Sequence, residues 1–514
     1  MPGTFKVPGT LWSRDLMRAK LRLYLMERRI VRLAFFGFCI ELACMFLALW
    51  FPLPALSQHV GPLDLKGITR YSPLACGVYV LILAALFALW WWAWRFADSH
   101  GEETRSRVPL ILAFAAIFAC TLGLMYPVNA TDLFQYVFRS RVLAIYHGNP
   151  LMLTPQDFPG DPMLPYVGEW THIPSPYGPA WELLAGAVAW LCRGQLLPTL
   201  LGLKALVVVF YLGTALVLDR LLAVVAPSRR VAGVLFFAWN PLVLLELAGN
   251  GHNDAVMLFF IVLGFYLLTR NKAIPAILAL VIAVLCKVIA LLVIPPVLII
   301  LLLQRPSWRA RVGFLTRAGG LAAGLTLALY VPFWPPWESI AGVLGETTGR
   351  LGFSIPTLVV LALRSLIGPH LGSLSPHEAR VALFVIYDLP RWIAQGLFAV
   401  LYLRLLIHAW RERTRPAVTA FRSLFTYLML APSFRVWYPT WLVPLAALKP
   451  GEGRAERAAV FCATAALSVV VYGYVWGWLR AHLDYLGIHA IAVPLVFIPP
   501  LVISWLFRTR ISGQ

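Results

Sequence analysis

Charge is what this sequence is short of. Only 13% of its 514 residues are charged, and Asp and Glu together number 23; an average soluble domain carries about twice that share of charge. The scarcity excludes a water-soluble globular chain. Cysteine is sparse as well: the seven present show no CxxC or Cys/His spacing, and those such as Cys39, Cys44 and Cys120 fall inside apolar runs, where they read as small core residues. There is no phosphate-cradling glycine loop, and no soluble domain is expected at either end. Clear tandem or inverted repeats are absent, which counts against many transporter folds. The first apolar run is full-length and lacks a small-residue cleavage site, so a signal peptide is not expected.

What the chain has in plenty is apolar sequence, 60% of all residues, with a mean hydropathy of +0.77. Long runs at 31–53, 74–96, 108–126, 199–225, 231–248, 254–269, 273–303, 381–407, 456–478 and 484–507 reach or approach the ~20 residues that a bilayer demands. Shorter candidates lie at 179–192, 318–333, 353–367, 423–434 and 440–448. The expectation is an all-α polytopic membrane protein of about 11 to 14 spans. A basic N-terminal segment, 1–30, precedes one integral membrane domain, 31–514. The net charge of +20 is no nucleic-acid signature, because the basic residues sit at the ends of runs, as the positive-inside rule expects. Within 1–30, "RDLMRAKLRLYLMERR" reads as an interfacial helix on the cytoplasmic face.

The same rule assigns Arg305, Arg309, Arg311 and Arg317, then Arg411, Arg413 and Arg415, then Lys449, Arg454 and Arg457, to the cytoplasm together with both termini. Run 108–126 then leads outward and delivers the polar stretch 127–178 to the exterior. Two points stay open. Run 179–192 either crosses or is re-entrant, which decides the side on which 250–254 lies. Run 273–303, with Pro295-Pro296 inside it, is one kinked helix or two short ones.

The stretch "TDLFQYVFRSR" at 131–141 falls into helical register. Asp132, Gln135, Tyr136 and Arg139 share one face, while Leu133, Phe134, Val137 and Phe138 suit a helix lying on the membrane surface. Thr131 is placed as N-cap and Asp132 in the first turn, where the helix dipole favours a carboxylate. An ionised carboxylate facing a cleft is what a general base requires; the plain alternative is an acid that helps start a helix. Gly148-Asn149-Pro150 and Pro174-Ser175-Pro176-Tyr177-Gly178-Pro179 are rigid turn sequences that would fold the stretch back onto the membrane. Trp170, Tyr177 and Trp181 are aromatics of the interfacial type.

Further on, "ELAGNGHNDA" (246–255) gathers Glu246, Asn250, His252, Asn253 and Asp254 at the end of an apolar run. Ionisable groups near membrane depth are costly and usually functional or paired. The alternative is a polar plug between helices. His252 suits substrate orientation, proton transfer or metal binding, although one histidine is not a metal site. Lys287, deep in an apolar run, needs an anion, either a lipid phosphate or a carboxylate such as Asp254. Arg435 and Arg350 are further phosphate candidates.

Taken in order, Asp132…Tyr136…Arg139, Gly148-Asn149-Pro150 and Ser175-x-Tyr177-Gly178-Pro179-x-Trp181 resemble the outer loop of GT-C polyprenyl-phosphate-sugar-dependent glycosyltransferases. The nearest group is the bacterial mannosyltransferase-like branch that builds lipoglycans. "WNPLVLLELAGNGHNDAVM" (239–257) and "FRVWYPTWLVPLAAL" (434–448) resemble later segments of that branch. The three motifs cover most of 108–448 and leave the first two spans outside.

The resemblance implies a GT-C-like fold with a structured outer loop at 127–178. It implies a cell-membrane enzyme of the envelope that moves a sugar from a polyprenyl-phosphate donor to a lipid or glycan acceptor on the extracytoplasmic face; mannose is the branch's best-known donor sugar. Asp132 matches the acid that activates the acceptor hydroxyl. His252 is a second catalytic candidate, expected on the same outer side. Arg139, Lys287, Arg350 and Arg435 are expected to hold the donor phosphate, and Tyr136, Tyr177, Asn250, Asn253, Asp254, Trp437 and Tyr438 to line the substrates. Where the family commonly shows an acidic pair, this chain has Thr131-Asp132, so no metal or other cofactor is expected. The competing class is a transporter or lipid flippase, which would concentrate ionisable groups near the midplane instead of building an ordered outer loop.

Overall fold

In the computed structural model of the chain, the described residues are 10–98, 107–335, 337–341, 352–448 and 453–512, with side chains from residue 28 to residue 507. Arg350 and Lys449 lie outside the described residues. The described chain is helical, and its one β-type contact is an isolated bridge between Pro52 and Met125. Eight described helices are long and apolar enough to cross a membrane, or nine if the bent pair Pro227–Ala238 and Pro241–Gly249 counts as one span. Shorter apolar helices occupy Val108–Gly123, Asp254–Thr269, Ala273–Cys286 and Val288–Leu303. This is a polytopic membrane protein.

Helix α1 (Thr10–Trp50) differs from expectation. The basic segment and the first span form one unbroken helix, because no proline or glycine interrupts residues 10–36 and helix, once nucleated, propagates. Helices α2 (Pro73–Asp98) and α3 (Val108–Gly123) lead to α4 (Asp132–Ala144), which carries the opening of the polar stretch. Thr131 is its N-cap residue, but its side chain makes no capping bond. The surface-helix expectation needs correcting too. Leu133, Phe134, Val137 and Phe138 are each at most 1% exposed, because residues 145–178 fold over α4 and bury its apolar side in protein. Phe138 and Val142 pack there with Val167.

The turn sequences do the folding. Asn149 Oδ1 accepts from the Leu151 amide at 3.0 Å, and its Nδ2 donates to Ser339 Oγ at 2.9 Å. The Ser175 amide donates to the Pro150 carbonyl at 2.8 Å, tying the two turns together. Arg141 ties α4 to the folded loop with a 2.9 Å ion pair to Asp161. Of the aromatics expected at the interface, Tyr177 and Trp181 are buried instead.

Helix α5 (Pro179–Leu191) runs beside α4 along its length. The Tyr136 and Trp181 rings meet at 4.8 Å, Gly186 lies against Leu143, and Arg141 donates to the Gly194 carbonyl. Thirteen helical residues extend only about 20 Å, and both ends stay with α4. The geometry therefore favours the re-entrant alternative. Helix α6 (Leu196–Val225) then leads away, and α7 (Arg230–Ala238) leads back.

The return path is broken where the sequence reads Trp239-Asn240-Pro241. A residue before proline resists the helical conformation; Asn240 caps the next helix by accepting from the Leu242 and Val243 amides at 3.0 and 3.2 Å, and Pro241 starts it. The axis bends by 44° and a π-helical segment, Leu244–Gly249, follows, a departure that often accompanies functional sites. Helices α8 (Asp254–Thr269) and α9 (Ala273–Cys286) form a hairpin. Run 273–303 is two short helices: Lys287 is extended, and a 3₁₀ turn, Val288–Val293, leads into α10 (Ile294–Leu303).

Candidate active site

Five stretches converge: the start of α4, the 173–178 turn, the 246–254 segment, Lys287, and the aromatic stretch 435–441. Glycine permits the closest approaches. A Cβ on Gly178 would stand 2.1 Å from the Leu285 carbonyl oxygen, and the Gly178 amide donates to the Cys286 carbonyl at 3.2 Å. The 173–178 turn is thereby pinned one residue from Lys287. Gly251, at φ +77°, turns the 246–254 segment back so that it touches Leu133, the neighbour of Asp132.

At the centre, Asp132 accepts a hydrogen bond from Tyr177 Oη at 3.0 Å and lies 3.7 Å from Nδ1 of His252. The other ring nitrogen, Nε2, is 3.3 Å from Glu246. Trp437 stacks on the imidazole with centroids 3.8 Å apart. His252 thus shares Asp132's side, as expected, but it is wholly buried. Burial, reinforced by the Asp132 charge, pushes the Tyr177 phenol well above its ordinary range, so Tyr177 stays a donor to the carboxylate.

Lys287 has the carboxylate partner. Its Nζ donates to both oxygens of Asp254, at 2.9 and 2.8 Å, and lies within 5.8 Å of the Tyr177, Tyr438 and Trp441 ring centres. Trp441 Nε1 also donates to Asp254. Arg435 is exposed and stands over the Trp170 ring at 5.7 Å.

Other expected residues take supporting places. Arg139 is 2% exposed beneath the folded loop; its Nη2 donates to the Ile173 carbonyl at 3.4 Å, and it lies close enough to Glu182 to favour that acid's charge. Tyr136 is a buried wall behind Tyr177, their oxygens 3.4 Å apart. Asn250 is committed to Glu246 at 2.9 Å. Asn253 is buried, and neither of its amide atoms has a hydrogen-bond partner among the described residues.

The two carboxylates beside His252 face opposite ring nitrogens, so they cannot close on one ion with it. Among the described residues no group of three or more His, Cys, Asp or Glu is placed to hold a metal.

The family model described as "Alpha-(1->6)-mannopyranosyltransferase, N-terminal domain" matches residues 35–303, more than half of the chain. The chain belongs to this family. The match begins within α1, so the first two spans, which the motifs left aside, are part of the family region. Alpha-(1->6)-mannopyranosyltransferase A of Mycobacterium tuberculosis is 26% identical over 357 residues, 68% of this chain and 66% of that protein. Alpha-(1->6)-mannopyranosyltransferase B of Corynebacterium glutamicum is 29% identical over 152 residues, 28% of this chain and 24% of that one. The chain thus spans just under two thirds of the first relative's length.

In this mannopyranosyltransferase-family chain, sequence reasoning left some residues without a role. Glu246 was visible as an acid in an apolar run, four residues before Asn250, but nothing in the sequence aimed it at His252. Trp441 lay inside a recognised motif, yet its bond to Asp254 crosses 187 positions. Ser175 and Glu182 form a buried hydrogen bond that holds the 173–178 turn; a serine among prolines gave no sign of it.

Proposed function

We propose that this protein transfers a mannosyl group from a polyprenyl-phosphate donor to a hydroxyl of a lipid or glycan acceptor, on the extracytoplasmic face of the cell membrane. One observation carries the reading. Of the three site acids only Asp132 keeps an open face, its side chain 16% exposed against 1% for Glu246 and 0% for Asp254. An acceptor hydroxyl can therefore reach one carboxylate, and Asp132 is positioned as its general base.

In the proposed reaction the acceptor oxygen attacks the anomeric carbon and its proton goes to Asp132. The bond from that carbon to the phosphate oxygen breaks, and the electron pair leaves on the phosphate. Arg435, exposed and without an acid partner among the described residues, is the cation best placed to meet that charge, a charge-assisted contact. Lys287, neutralised by Asp254 and surrounded by rings, supports the leaving group from below. Asn253, buried and without a hydrogen-bond partner among the described residues, offers an amide to a sugar hydroxyl. A single open carboxylate suits one direct displacement, so the anomeric configuration inverts.

The test uses purified protein with polyprenyl-phosphate mannose and a mannan-type acceptor, measuring release of polyprenyl phosphate. Wild type should turn over. Asp132→Asn should fold and insert but lose about 10²- to 10⁴-fold in rate. Wild-type turnover in that variant would reduce Asp132 to a helix-start residue.

A further inference from the structure

His252 is held in an unusual way for a buried histidine. It is 0% exposed, and each ring nitrogen looks at a different carboxylate, Nδ1 at Asp132 (3.7 Å) and Nε2 at Glu246 (3.3 Å). Neither nitrogen forms a hydrogen bond with a described residue, so the two carboxylates are close neighbours of the ring and not bonded partners in this structure. The nearer carboxylate is also the better held. Glu246 accepts from Asn250 Nδ2 at 2.9 Å and from Asn129 Nδ2 at 3.4 Å. Both are amide donors, so Glu246 sits as an acceptor and calls for an N–H from the third direction, that of Nε2.

The chain fixes this arrangement mechanically. Glu246 lies in the π-helical segment, and its carbonyl accepts from the His252 amide at 3.1 Å. Trp437 covers one face of the ring at an interplanar angle of 23°, which limits the tilt of the imidazole toward that face. In a histidine the hydrogen bond at one nitrogen decides what the other presents. With its proton on Nε2, His252 turns a bare lone pair toward Asp132.

We propose that Glu246 is a positioning residue: it holds His252 in the tautomer whose unprotonated Nδ1 faces Asp132, and so gives the proton collected by Asp132 a second resting place. The transfer balances simply. The acceptor proton passes to Asp132 and then to Nδ1, leaving an imidazolium between two carboxylates; it returns through Asp132 to water once the product has left. This role rests on the transferase reading above and deepens it, naming an acid that never touches substrate.

The experiment is a double-mutant cycle on the full-length protein, with kcat and donor KM measured for wild type, Glu246→Gln, His252→Ala and the double variant, and melting followed for each. Glu246→Gln should lower kcat by about 10- to 100-fold, as loss of a histidine's orienting partner typically does, with donor KM unchanged. Glu246→Asp, which keeps an acceptor, should recover part of the loss. In the His252→Ala background the same Gln substitution should change kcat by less than about twofold, because a residue acting through His252 has nothing left to orient. Equal losses in both backgrounds, or a loss that follows melting temperature alone, would overturn the positioning role while the wild-type reaction stood. A wild type that transfers no sugar would instead bring down the transferase reading, and this role with it.

Discussion

Burial sets what individual acids do in this protein. Asp132, Glu246 and Asp254 lie on neighbouring segments, yet of these three only the first reaches the surface; Glu246 lies beside His252, and Asp254 pairs with Lys287. Glu182 shows the same force away from the reacting face. Burial pushes its carboxyl up from 4.5 to about 7, against the opposing pull of the Ser175 hydrogen bond and the Arg139 charge. The folded form thus favours protonated Glu182. That contribution is present below the ordinary carboxylate range and is lost as pH rises through about 7. Glu182→Gln cannot ionise. Between about pH 4.5 and pH 7 it should gain stability relative to wild type, by up to about 1.4 kcal/mol per pH unit, and the gain should level off above pH 7. Parallel melting curves across that range would check it; a constant offset would mean that Glu182 is already charged in the fold.

At the scale of elements, the site depends on interruptions in helices. The Asn240-Pro241 break, the π segment and the extended Lys287 each place a side chain where a continuous helix would turn it into a neighbour. The 127–178 loop meets these breaks through Gly178, whose position admits no side chain. Gly178→Ala would drive a methyl group into the Leu285 carbonyl, at 2.1 Å before any adjustment. Forced overpacking of this kind costs about 1–3 kcal/mol. The variant should melt lower and lose turnover together, since displacing the turn moves Tyr177 off Asp132. Full activity with an unchanged melting temperature would show that the turn is not pinned there.

At the scale of the molecule, the side of the membrane is the quantity to measure. Asp132 and His252 are neighbours, so the 127–178 loop and the 246–254 segment share one side. Arg229 pairs with Asp98 at 3.3 Å near the opposite end of α6, where the positive-inside rule would put the cytoplasm. Gly160 is exposed, with nothing within 4 Å of an added Cβ, and the Arg220 side chain is 74% exposed. In a cysteine-free background, Gly160→Cys should react with an impermeant thiol reagent in intact cells, and Arg220→Cys only after the membrane is opened. The reverse pattern would place the site in the cytoplasm.

The sequence by itself determined the class of this protein, because a bilayer imposes its length and polarity rule on each span separately and the runs can be read one at a time. It also determined the local devices, such as the turns at Gly148-Asn149-Pro150 and 174–179 and the broken helix at Asn240-Pro241, since proline, glycine and asparagine act on their own neighbours. Asp132, Tyr177, His252 and Lys287 were legible as candidates for a related reason: polar groups stand out against an apolar background. Only the tertiary structure decided which of them meet. It gave Lys287 to Asp254, covered Arg139 with the folded loop, and set His252 between Asp132 and Glu246, 120 and six positions away. It also laid α5 along α4, where apolar content alone allowed a crossing. Such pairings depend on how helices pack side by side, and hydrophobic packing has no direction that a run of apolar residues could record.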